Sequence, residues 1–286
     1  MSEAMKKHSR ELNLSISKLC EGFGMKRDAY YKFQRRNKHS VAIKATVLSM
    51  VNERRIDLPR EGCKKMHKAF IEELQMRGIK LGRDGLFDLL REKNMLVKRK
   101  RSYVKTTNSY HKFHKYTNLI KDLNITRPNQ VWVSDITYIR LTQGHCYLAL
   151  ITDAYSRKIV GYDISNSLEL AGCLGALKMA LWLGRPGQGL IHHSDRGLQY
   201  CSNQYVEQLQ KHNIQISMTE ENHCYENAMA ERVNGILKDE FYLDQSFSNV
   251  VLARKTCDNA IRIYNTKRLH LSLGYKTPDE VFKIRA

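Results

Sequence analysis

The sequence predicts a mixed α/β protein, a five-stranded sheet flanked by helices and preceded by small all-α units of helix-turn-helix type. Three observations carry this reading. Hydrophobic periodicity changes from helical to alternating near residue 131, a run of strands then passes into alternating helix and strand, and basic charge is concentrated before the change.

The charge asymmetry is large. The 286 residues hold 48 Lys/Arg and 29 Asp/Glu, a net of +19. Residues 1–130 carry 31 basic and 13 acidic side chains, whereas residues 131–286 carry 17 and 16. Solubility alone does not explain so uneven a distribution. A polyanion partner for the first half does, because Lys and Arg neutralise phosphates and release counterions.

Within the first half, SISKLCEGFG and MKRDAYYKFQRR read as two short helices about a glycine turn over residues 11–36. The second carries Lys26, Arg27, Lys32, Arg35 and Arg36 among Tyr30, Tyr31 and Phe33. This fits a helix-turn-helix with a basic second helix, and it fits an ordinary helical hairpin equally well. Pro59 then separates a second helical unit, KKMHKAFIEELQM and LFDLLREKNM about a glycine-rich turn. The stretch 97–116 has nine Lys, Arg or His residues, including Lys98, Arg99, Lys100 and Arg101, interleaved with Tyr and Phe. It reads as a basic connector suited either to tracking a nucleic-acid strand or to simple solvation. The expected organisation is therefore 1–58 and 59–96 as small helical DNA-binding units, 97–123 as linker, and 124–286 as the main domain with C-terminal helices.

In the second half, VWVSDITYIRL, GHCYLALITDAYS and KIVGYDISN are three consecutive strands, the middle one nearly continuously apolar. Then come a helix over 168–183, the strand GLIHHSD, a helix over 202–213 with Ser202 as N-cap, and the strand IQISMT. Thr277, Pro278 and Glu280 spell a capping box that opens the last helix.

The seven cysteines are scattered and never form C-x-x-C, which argues for a reducing compartment and against a zinc module or disulfide frame. His192, His193, His223 and Cys224 lack tetrahedral ligand spacing. MSEAMKKHSR has no apolar core, and runs such as YLALI are too short to span a bilayer. A soluble, cytoplasmic protein with no membrane partner is expected.

Three acids stand out. Asp135 lies inside a strong strand, where a carboxylate is costly unless paired or bound to a metal. Asp195 ends a strand before a glycine turn, the usual place for ligands in such sheets. Glu231 lies on a helix, with 35 residues between it and Asp195. At about 100° per residue, Met229, Val233, Ile236 and Leu237 form an apolar stripe, and Asn227, Glu231, Asn234 and Lys238 lie opposite. Glu231 is thus either an exposed helix acid or a ligand presented across a cleft. Three carboxylates from such elements suit a pair of hard divalent cations.

These motifs resemble a known family. NQVWVSDITYI, LITDAYSRKIVGYDIS, HHSDRGLQY, CYENAMAERVNGILKDE and YNTKRLHLSLGYKTPDE follow the order and spacing of bacterial insertion-sequence transposases related to retroviral integrases. These are D-D-E recombinases with a ribonuclease H-like fold, and the resemblance covers residues 124–286. It implies that Asp135, Asp195 and Glu231 bind two Mg²⁺ or Mn²⁺ ions, and that Lys238 is a DNA contact. It implies strand cleavage by water at element ends, then attack by the freed 3′-OH on target DNA, without a covalent protein–DNA intermediate. Double-stranded DNA, a homo-oligomer assembled on it, and an upstream-frame subunit are the partners implied. Asn227 and Arg232 fall in the matching block without a firm role, and Asp153 matches a recurring acid that reads as structural. One departure is the acidic loop TEENH at 219–223, where family members more often carry basic residues and a glycine. Two rival readings are a catalytically silent DNA-binding regulator on the same fold and a structure-specific nuclease.

Overall fold

The computed structural model describes residues 15–98, 113–220 and 227–283. The chain clusters into two compact units, residues 1–56 with 70–95, and residues 57–69 with 96–286.

The first unit is helical. Ser15 caps α1 (Ile16–Gly22) by accepting the Lys18 N–H, and Gly24, at φ +63°, makes the turn that follows. Leu19, Cys20 and Tyr30 form a small buried cluster across that turn. The next helix, α2, is not short. It runs from Arg27 to Asp57, 31 residues. No Gly or Pro interrupts that span, so nothing breaks the helix even where the apolar period lapses. Residues 35–42 are exposed, and burial resumes at Val47, Met50 and Val51. Helix α3 (Cys63–Met76) leads through a turn to α4 (Arg83–Glu92). Within the unit, Lys44 pairs with Glu92 at 2.7 Å and Arg55 donates to the Met95 carbonyl.

The second unit is built on the expected five strands: β1 (Val131–Arg140), β2 (His145–Asp153), β3 (Ile159–Ser165), β4 (Ile191–Ser194) and β5 (Gln215–Met218). Their order in the sheet is β3-β2-β1-β4-β5. β1–β2 and β2–β3 pair antiparallel, while β1–β4 and β4–β5 pair parallel. This is the mixed sheet of a ribonuclease H-like fold. Strand β2 alternates between two cores. Leu148 and Leu150 face α8 (Ala228–Glu240) and α9 (Val250–Thr266), and Ala149 and Ile151 face α5 (Leu170–Gly184), α6 (Leu198–Cys201) and α7 (Asn203–Lys211). Burial on both faces explains its unbroken apolar run.

Gly161 lets α5 settle on β3. A Cβ there would meet the Ala176 carbonyl at 2.2 Å and Ala180 Cβ at 2.7 Å. Ser202 caps α7 through the Tyr205 N–H, and Thr277 and Glu280 form the expected reciprocal cap of α10 (Pro278–Lys283). Asp153 serves the β2–β3 turn. Its carboxylate accepts from the Ser156 N–H and hydroxyl and from the Asn129 N–H. The described cysteines are buried and unbridged. Among the described residues no helix is long and apolar enough to cross a membrane.

Candidate active site

The sheet sets the first two acids side by side. Ser134 of β1 pairs with Ser194 of β4 in a parallel register. Asp135 continues β1 and Asp195 follows the end of β4, so each lies one residue beyond a paired position of neighbouring strands about 4.8 Å apart. Strand β4 stops at Ser194 while β1 continues to Arg140 against β2, so Asp135 is the first β1 residue beyond the β4 pairing. The Asp195 carboxylate accepts the Gly197 N–H at 3.0 Å, so the turn after β4 orients it.

Helix α8 covers Asp135 and presents Glu231 from its first turn, exposed. One part of the sequence reading is corrected here. Asn227 and Asn234 do not share Glu231's solvent face, and both are buried. Asn234 Nδ2 donates to Asp135 Oδ2 at 2.8 Å, and Asn227 Nδ2 donates to the Ser134 carbonyl at 3.1 Å. The helix is wedged against two surfaces, with Val233, Ile236 and Leu237 in one core and Ala230 beside Val131 and Val133. Projection onto a single apolar stripe hides this, because a polar residue that satisfies a strand groups with the solvent face.

Burial is the main force on Asp135 and pushes its carboxyl up to about 7. The negative charges of Asp195 and Glu231 push the same way, against the hydrogen bonds from Asn234 and the Ile136 N–H. Like-charge coupling of this kind shows that the three acids share one electrostatic neighbourhood. They do not form a preformed cage: among the described residues, no three His, Cys, Asp or Glu side chains are grouped to hold a metal ion. The donor set nonetheless suits hard cations. Mg²⁺ takes one or two carboxylates and completes its shell with water and substrate phosphate, and positive charge would relieve the strain on Asp135.

Lys238, the expected DNA contact, lies over the Tyr138 ring, its Nζ 4.2 Å from the centroid. Burial lowers its pKa, and Asp135 opposes that shift. His192 and His193 are core residues. His192 Nε2 lies between Ser134 Oγ at 2.7 Å and Tyr205 Oη at 2.9 Å, and burial pushes the ring down to about 3, so it is neutral. His193 Nδ1 meets Ser217 Oγ at 2.9 Å. His223 and Cys224 lie outside the described residues, as do Arg99, Lys100 and Arg101. Of the acidic loop, Thr219 and Glu220 are described, and Glu220 pairs with Lys121 at 3.7 Å. Of the remaining basic candidates, Lys26, Arg27, Lys32, Arg35 and Arg36 belong to the first unit and Lys98 to the second. Lys26, Arg27, Lys32, Arg35 and Arg36 are exposed around the start of α2, with Lys32 paired to Asp28 at 2.8 Å and Arg27 over the Tyr31 ring. Lys98 is exposed, and its carbonyl accepts from Arg60.

The sheet order and its covering helices define the class, an integrase core. Residues 125–224 match the family described as integrase core domain, and residues 212–278 match a second family of the same description. The chain is 30% identical to the transposase InsF for insertion sequence IS3A of Escherichia coli (strain K12) over 287 residues, covering 96% of each chain. It is 41% identical over 210 residues to the insertion element IS600 uncharacterized 31 kDa protein of Shigella sonnei, covering 72% of this chain and 76% of that one. Among solved structures, the HTLV-2 integrase catalytic core domain in complex with magnesium is similar at 19% identity and a TM-score of 0.45, over 55% of this chain and 97% of that one. The chain belongs to the insertion-sequence transposases, polynucleotidyl transferases of DNA transposition.

Proposed function

We propose that this protein cleaves the ends of an insertion element and joins the freed 3′-OH to target DNA, with Asp135, Asp195 and Glu231 as ligands of two Mg²⁺ or Mn²⁺ ions. The observation that carries this is Asp135 itself: a half-buried carboxyl on a central strand, pushed up to about 7, beside two further acids. When bound, divalent cations supply charge neutralisation at the attacking and leaving oxygens of an in-line phosphoryl transfer. The chain's own part is positional. β1 and β4 hold Asp135 and Asp195 at one level, Asn234 fixes Asp135 toward α8, and the Gly197 N–H orients Asp195. Glu231, exposed on α8, faces incoming DNA. Lys238 would leave Tyr138 to meet a phosphate.

Strand capture falls to the exposed basic residues at the start of α2, Lys26 just before it and Arg27, Lys32, Arg35 and Arg36 within it, and to the segment from Lys98 to Arg101. The protein would act on double-stranded element ends and target as a homo-oligomer on DNA, with an upstream-frame subunit as a further partner.

The test is strand transfer on labelled element-end DNA with Mg²⁺. Asp135→Asn, Asp195→Asn and Glu231→Gln should each abolish cleavage and joining while DNA binding persists. Wild-type strand transfer by any of the three removes that residue from the centre. Binding without cleavage by the wild-type protein would instead identify a silent regulator.

A further inference from the structure

On the flank of α8, about 100° round the helix from Glu231, lies a cavity of about 510 Å³ whose lining includes Lys65, Arg157, Arg232, Tyr264, Arg268 and His270. All belong to the second compact unit. Four of them are cations. Lys65 and Arg268 are buried and both bind the Glu240 carboxylate, at 3.1 and 2.6 Å. His270 accepts from Arg268, and burial pushes it down to about 3, so it adds no charge.

The other two cations form no close ion pair among the described residues, although the Asp153 carboxylate acts on Arg157 at longer range. Arg232 is exposed at the rim. Arg157 directs its guanidinium at the Ala154 carbonyl and the Met229 sulfur, both neutral. Its backbone is also unusual. Arg157 holds φ +65° in the β2–β3 turn, a conformation that Gly or Asn would adopt at less cost. The Arg157 N–H donates to the Asp153 carbonyl, and the Tyr264 hydroxyl donates to the Arg157 carbonyl at 3.0 Å, which clamps the turn.

We propose that this cavity receives a backbone phosphate of the DNA on which the active site works, bound by Arg157 and Arg232. The inference rests on the function proposed above and adds a second contact point beyond the three acids. Guanidinium groups match phosphate oxygens through paired N–H donors. Met229, half-buried in the same lining, leaves apolar surface beside the two guanidinium groups.

The test uses the full-length protein and a fluorescent element-end duplex, with affinity measured by anisotropy between about 50 and 200 mM salt. Arg157→Asn keeps a residue that tolerates the turn, and Arg232→Gln changes an exposed side chain. The double variant should lower the slope of log affinity against log salt by about one unit, the loss of one phosphate contact, and each single variant by a part of that. The pair Lys178→Gln and Lys211→Gln, on helices of the opposite sheet face, should leave it unchanged. An unaltered slope in R157N/R232Q, with the fold retained by circular dichroism, overturns the proposal. A parallel thermal-shift assay with inorganic phosphate separates the two sources of the same chemistry. A phosphate-dependent rise in Tm that the double variant loses, with no change in DNA slope, overturns the DNA assignment in favour of a free anion. Strand transfer by the wild-type protein reports on the proposed function separately, so failure there is distinct from failure of the pocket.

Discussion

Asn234 Nδ2 donates to Asp135 Oδ2 at 2.8 Å, joining helix α8 to strand β1 in the middle of the acidic cleft. Through this bond the element that carries Glu231 is registered against the strand that carries Asp135. Asn234→Ala should therefore weaken metal use more than folding. Outer partners of metal ligands contribute about 10–100-fold in metal affinity or activity. Strand transfer followed against Mg²⁺ concentration should show a half-saturation point raised by about tenfold or more, with Tm little altered. A variant that loses activity equally at all Mg²⁺ concentrations would count against this role.

Asp135 trades stability for function. Its carboxyl, at about 7 in the folded chain, stands above the ordinary 3.8 that it has in an unfolded chain. The native state therefore holds this proton more tightly than the unfolded state. Stability from this group is fully present below pH ~4 and is lost as pH rises through about 7. Asp135→Asn removes the ionisation, so in chelator it should be more stable than wild type at pH 8 by about 1–4 kcal/mol and nearly equal at pH 4. Urea unfolding at the two pH values measures the difference.

Glu240 behaves in the opposite way. Burial disfavours its charge, but the hydrogen bonds and charges of Arg268 and Lys65 outweigh this and hold the carboxyl below the usual range. Glu240→Gln leaves buried Arg268 without its paired carboxylate and Lys65 with only the weaker pull of Glu61, and should cost about 3–5 kcal/mol at pH 7. A depressed carboxylate lends stability above the unfolded pKa and loses it as pH falls through the folded value. The deficit should thus shrink below pH ~4, which denaturation at pH 7 and pH 3.5 would reveal.

Gly161 tests the packing of α5 on β3. Any side chain there presses on the Ala176 carbonyl at 2.2 Å, a backbone atom with no rotamer to yield. Gly161→Ala should destabilise by about 1–3 kcal/mol, seen as a lower urea midpoint. Gly235→Ala, a helical site with nothing within 4 Å of the added carbon, serves as the control.

Local sequence was a good guide where local physics governs. The alternation of β1, the doubly covered run of β2, the Ser202 cap and the Thr277–Glu280 box all depend on neighbours within a few residues, and each stands in the structure. The length of α2 was missed because residues 35–42 offer no apolar period, although the absence of Gly and Pro from 27–57 was there to be read.

The sequence by itself determined the order of elements, the charge divided between the two halves, and the choice of three acids on a strand, a strand end and a helix. Only the tertiary structure decided that Asn234 faces Asp135 and that Arg157 and Arg232 come to one cavity, 75 residues apart in the chain. The physical reason is that periodicity records which face of an element is apolar. It carries no information on which polar atom a neighbouring element needs, and that partner is chosen when α8 is wedged between the sheet and α9.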